Sequence, residues 1–345
     1  MGISNLEDEK NSDENRGMDG FQETSGMKEP RLPVYSTSPK KLWFPIVLCI
    51  IFSGLLAIMI NIAGVPISFG LDEEELGFGA SVVNALIFIG IGGFSAFIMI
   101  KLVKKKGIDL LEKIMMGSFL ILGIFIVYFY GTYGFSFLEA AFPLGDFWFY
   151  LLIAISIGLG VLLVYLFAAP KFGERTKNLV VVIYGVLIGS FLPLLLPTWT
   201  ALLILIGFSL YDIYSVKRGP IKEMMDQINA RNGSASEGII SDEDDSWDWS
   251  DITLDIGIGD LAFYSMLTSI TLISEEFGGP FLFNLSGNVF SFFMPFMFTI
   301  TGVLLGAFLS FQFVKRHKMI PGLPLSIFIG IGMLALSIGL GVLIF

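Results

Sequence analysis

The sequence predicts an all-α polytopic membrane protein with nine transmembrane helices, its N-terminus cytoplasmic and its C-terminus external. Three observations carry this. Hydrophobic residues fill 54% of 345 positions and the mean hydropathy is +0.78, whereas soluble domains are about 45–50% apolar. Apolar stretches of about the 17–25 residues that cross a bilayer recur near 43–69, 76–100, 114–135, 147–168, 179–196, 198–216, 252–273, 287–312 and 321–345. When successive connectors are placed on alternate sides, all 21 Lys and Arg fall on one side.

In chain order, residues 1–41 are polar and acidic without an apolar run, so they are expected to be a disordered cytoplasmic tail rather than a signal peptide. Residues 42–216 hold spans one to six. Glycines 90, 92 and 93 in the second span and 158 and 160 in the fourth suit close helix packing and have no expected catalytic role. Spans five and six are divided by little more than Pro197, but merging them would scatter the basic residues over both sides. Residues 217–251 form an expected flexible cytoplasmic loop, and 252–345 hold spans seven to nine. The basic residues lie in the tail, Lys101–Lys113, Lys171–Lys177, Lys217–Arg231 and Lys315–Lys318. The opposite connectors carry only acids, such as Asp72, Glu139, Asp146 and Glu275. The positive-inside rule then sets the orientation.

The formal net charge of −10 is concentrated in the tail and in Ser241–Asp251, so it describes segments outside the spans. Cys49 is the only cysteine and His317 the only histidine. An intrachain disulfide and a two-His zinc site are therefore excluded, and a Ser–His protease is left only a histidine in a basic connector. No metal and no cofactor are expected. The lipid bilayer is an expected partner and nucleic acid is not.

Two acids break the apolar pattern: Asp212, preceded by Tyr211, in span six, and Asp260, behind Gly257-Ile258-Gly259, in span seven. A carboxylate at membrane depth costs roughly 2.5–3.5 kcal/mol on insertion scales, so each is a functional candidate. Counted at 1.5 Å per helical residue, Asp212 lies about 7.5 Å before Lys217 and Asp260 about 7.5 Å after Asp255. Asp255 reads as a solvated acid at the start of span seven, where the helix dipole favours it. Span nine opens on the same side with Pro321-Gly322-Leu323-Pro324. Two prolines around a glycine predict irregular backbone there, which membranes tolerate only inside protein or along a watery cavity. A carboxylate pair sharing one proton can hydrolyse a peptide bond, one acid activating water while the other protonates the carbonyl oxygen. The glycines beside Ile258 permit close backbone approach, and the irregular edge at 321–324 can receive an unwound substrate strand.

Tyr211-Asp212, Gly257-Ile258-Gly259-Asp260 and Pro321-Gly322-Leu323 resemble the YD, GxGD and PAL motifs of the intramembrane aspartyl proteases, presenilin and signal peptide peptidase. Four further stretches resemble presenilin in the same order: Pro197–Leu203, Lys217–Lys222, Ala230–Asn232 and Phe263–Ser265. The cytoplasmic N-terminus also agrees with presenilin. The resemblance implies a presenilin-like fold, Asp212 and Asp260 as the catalytic pair, and an active-site role for 321–323 near the cytoplasmic side. Gly322 stands where the family has Ala, and the loop after span six is shorter than in animal presenilins. An ion or proton transporter using the same aspartates is the alternative function. A non-enzymatic scaffold would not need two acids at one depth.

Overall fold

A computed structural model of the chain describes residues 34–37, 41, 43–62, 70–71, 76–106, 108–141, 145–169, 171–218, 254–274, 277, 289–316 and 322–344. Nine helices run through these residues: α1 (Trp43–Ile62), α2 (Phe78–Lys106), α3 (Ile108–Ala141), α4 (Asp146–Ala168), α5 (Glu174–Leu195), α6 (Thr198–Arg218), α7 (Ile258–Ile273), α8 (Val289–Arg316) and α9 (Leu323–Ile344). Each corresponds to one predicted span. Eight are long and apolar enough to cross a membrane, and α7 is the exception. The basic ends of α2, through Lys106, and of α6, through Arg218, remain helical, because backbone hydrogen bonding continues where apolar composition stops. Helix α5 ends at Leu195, and the Ala201 N–H bonds to the Pro197 carbonyl at 2.9 Å. Spans five and six are therefore separate helices, with Pro197 at the start of the second, where its missing N–H costs nothing.

The all-α expectation misses two strands. β1 (Val34–Thr37) pairs antiparallel with β2 (Leu254–Gly257), Val34 opposite Gly257 and Ser36 opposite Asp255. Val34–Thr37 thus leaves the expected tail as ordered strand, while residues 1–33 and the loop 219–253 lie outside the described residues. The predicted helical start of span seven is corrected as well. Asp255 lies in β2, and the acid in the first turn of α7 is Asp260. At 16 residues, α7 is only about 24 Å long against a hydrocarbon core of about 30 Å. The four extended residues of β2 add about 13 Å. The path from Asp255 to Asp260 is then about 13 Å rather than 7.5 Å, because three of its five steps have extended rise.

Helix α7 is the central element. Every residue from Tyr264 to Leu272 is buried, as expected of a helix surrounded by others, and its packing is chiefly against α5 and α1. Gly185 and Gly189 of α5 face Leu261 and Ser265, and a Cβ on Gly189 would sit 3.0 Å from the Ala262 carbonyl. Of its polar residues, Thr268 bonds to the Tyr264 and Ser265 carbonyls and Ser269 meets Ser53 of α1 at 2.9 Å, whereas the buried Ser265 hydroxyl has no partner among the described residues. Helices α8 and α9 form a second close pair. A Cβ on Gly302 would lie 2.8 Å from Gly330 Cα, and one on Gly306 2.7 Å from the Leu325 carbonyl. Small residues four apart let the backbones touch. Among the glycines singled out for packing, Gly160 meets the Ile124 backbone and Gly92 the ring of Phe208, whereas Gly90, Gly93 and Gly158 face open space.

Candidate active site

The site begins where β2 becomes α7. Gly257 is the N-cap residue, extended at φ −65 and ψ 145, with no side chain to cap the helix. Asp260, third in the helix, turns back and accepts the Gly257 N–H. That is the return half of a capping box, and the positive end of the helix dipole favours an acid there. The conformation at 257 is open to any residue, and a Cβ there would make only an ordinary contact with Asp260 Oδ2 at 3.8 Å. Gly259 is exposed, and a Cβ there would meet nothing within 4 Å.

Helix α6 brings Asp212. One turn earlier, Phe208 stacks on Phe263 of α7 with centroids 5.5 Å apart and planes at 23°. Both rings also line an apolar cavity with Phe88, Phe125 and Leu192. Asp212 and Asp260 are both half-buried. The N–H of Leu323, the first residue of α9, faces the Asp212 carboxylate, and the two acids are near enough to interact electrostatically. Asp260 Oδ2 lies 3.8 Å from where a Cβ on Gly322 would be. The two acids therefore converge on one peptide unit, Gly322–Leu323.

That peptide is held from its other edge. The Gly322 carbonyl accepts hydrogen bonds from Tyr264 of α7 at 3.3 Å, Ser310 of α8 at 3.1 Å and, within α9, Ser326 at 3.5 Å. The irregular stretch expected over 321–324 is shorter than predicted. Gly322 lies in a bend, but Leu323 and Pro324 already belong to α9, because a proline in the first turn lacks an N–H that would have no helical partner anyway. Pro321 lies outside the described residues.

Of the residues singled out from the sequence, Asp212, Asp260, Gly257, Gly322 and Leu323 come together. Tyr211 sits beside Asp212 with 36% of its surface exposed. Ile258 and Leu323 turn their side chains into the core, so their part in the site is their backbone. Tyr264, Ser310 and Ser326 were missed as site residues. Tyr264 had a signal, lying one helical turn after Asp260. Ser310 had none, since a serine in an apolar helix reads as ordinary packing.

The profile of the Presenilin family matches residues 34–240, a range that includes Asp212 and ends before Asp260. Presenilin-B of Dictyostelium discoideum is 29% identical over 160 residues, which make up 46% of this chain but only 29% of that protein. Two solved structures described as a presenilin family intramembrane aspartate protease, in C222 and P2 crystal forms, superpose with a TM-score of 0.53 each. They are 19% and 17% identical, over 87% of this chain and 99% and 98% of theirs.

Proposed function

The chain belongs to the presenilin family, and from that premise we propose that it is an intramembrane aspartyl endopeptidase. Its substrates are membrane proteins, cut within their transmembrane segments, and Asp212 and Asp260 are the catalytic pair. The observation that carries this reading is the convergence of two acids from separate helices on the Gly322–Leu323 peptide.

Two carboxylates that share one site hold one proton between them. The ionised acid takes a proton from water as the water oxygen bonds to the scissile carbonyl carbon, and the protonated acid gives its proton to the carbonyl oxygen. In the diol that results, the roles reverse: one acid removes a hydroxyl proton, the other protonates nitrogen, and the C–N bond breaks. The apolar cavity beside Phe208 and Phe263 suits a lipid-soluble segment. The uncovered backbone at Gly259 lets an unwound strand come close. Tyr211 meets substrate side chains, Gly257, Ile258 and Gly259 supply backbone on one side, and Pro321, Gly322, Leu323 and Pro324 supply it on the other.

The N-terminus is cytoplasmic and the site lies near the cytoplasmic side, supported by the one-sided placement of all 21 basic residues. First cuts then fall in the cytoplasmic-side third of the substrate; the presenilin-like orientation further implies substrates with external N-termini, because a strand pairing with 321–324 has one preferred direction. The test is cleavage of a single-span substrate by purified protein in detergent, with fragments read by mass spectrometry. Wild type is expected to cut and Asp260→Asn not to. A wild-type chain that yields no fragments but moves ions or protons in proteoliposomes would support the transporter alternative instead.

A further inference from the structure

We infer that Tyr264 and Ser310 are positioning residues for this active site, acting through the Gly322–Leu323 peptide to set Asp212. The inference rests on the protease reading above. A trans peptide presents its carbonyl oxygen and its N–H on opposite edges, and cis peptides are absent among the described residues. Here the two edges face different helices. The Gly322 oxygen takes hydroxyl donors from α7 and α8, while the Leu323 N–H on the other edge faces Asp212 on α6. One rigid plane thus links the helix of each acid.

This link matters because α6 and α7 pack against different neighbours, α6 mainly on α2 and α7 mainly on α5 and α1. At the far ends of α6 and α7, Thr198 donates to Ser274 at 2.9 Å. At the acid ends, the clamped peptide performs the corresponding task. Tyr264 lies four residues after Asp260 on the same helix, so rotation of α7 moves the acid and the clamp together. Ser310 lies four residues after Gly306, the point where α8 meets the backbone of α9. The position of the clamp is therefore set by direct helix contact. Hydrogen bonds to the carbonyl also polarise the unit and strengthen its N–H as a donor. Loss of the hydroxyls loosens the aim of that N–H without removing either catalytic acid.

The experiment uses the full chain with a single-span substrate, comparing Tyr264→Phe, Ser310→Ala, the double variant and Ser310→Thr, which keeps a hydroxyl. In the double variant kcat is expected to fall about tenfold or more with KM changed less than about twofold. Ser310→Thr should recover most of the loss that Ser310→Ala causes. Amide hydrogen exchange at the start of α9 should quicken in the double variant, while the unfolding temperature stays close to wild type. This readout does not depend on turnover. Faster exchange with undiminished kcat overturns the positioning role. So does a loss that appears mainly in KM or in global stability. Should wild type cut nothing, the protease reading fails and takes the role with it, whatever exchange shows.

Discussion

The backbone N–H of Leu323, the residue that opens α9, faces the carboxylate of Asp212. One of the two candidate acids is thus tied to a helix that begins more than a hundred positions later in the chain. The carbonyl half of the same peptide is tied to Tyr264, one turn from the other acid.

Replacing either acid by its amide should abolish proteolysis without unfolding the protein. In Asp212→Asn the amide oxygen can still accept the Leu323 N–H, so α9 stays docked while acid–base chemistry is lost. General acid–base assistance is worth about 10²–10⁴ in rate, and fragment yield should fall by at least that much. For wild type with chemistry limiting, the rate should be bell-shaped in pH, with both limbs belonging to the pair rather than to one residue. A flat profile across the acid and neutral range would contradict a shared proton.

At Gly322, size should decide activity. A methyl group there would meet Asp260 Oδ2 at 3.8 Å, an ordinary contact, so Gly322→Ala should keep activity within about threefold, whereas Gly322→Leu forces a branched chain toward the acid and should silence the enzyme. Pro324→Ala, inside the first turn of α9, should also be mild. Equal activity of the alanine and leucine variants would show that this position lies outside the reacting space.

The α8–α9 contact should be sensitive to one carbon. Gly302→Ala and Gly306→Ala press a Cβ against backbone rather than against a movable side chain. Such overpacking costs about 1–3 kcal/mol and should lower the unfolding temperature. Activity should fall with it, because Ser310 and Ser326 move with these helices. Gly90→Ala, which faces open space, is the control and should leave stability unchanged.

Tyr35 offers an alkaline test of β1. Burial raises its phenol above the ordinary 10.0, and the negative charge Cys49 carries when ionised adds to the shift. The folded state therefore favours the neutral phenol. Its contribution to docking β1 is complete below pH 10, and it is lost as pH rises through the raised folded value. Hydrogen exchange at 254–257 should quicken over that alkaline range in wild type and show a weaker dependence in Tyr35→Phe.

Much of the architecture was legible because bilayer crossing is a local demand. Each stretch of some twenty apolar residues must satisfy its own backbone and therefore be helical, so the nine helices could be counted without tertiary information. The separation of α5 from α6 followed from charge, and the two acids stood out because charge is costly in hydrocarbon. Whatever depended on a distant partner was not legible. The strands β1 and β2 are four residues each and form only with one another, across more than two hundred positions. Without that pairing, Asp255 looked like a helix start and α7 looked longer than it is. Gly302 and Gly306 could not be told apart from open glycines such as Gly90, because the neighbour that makes a glycine necessary comes from another helix. The convergence of Asp212 and Asp260 on the Gly322–Leu323 peptide was likewise decided by tertiary structure, since Tyr264, Ser310 and Leu323 reach that point from three different helices.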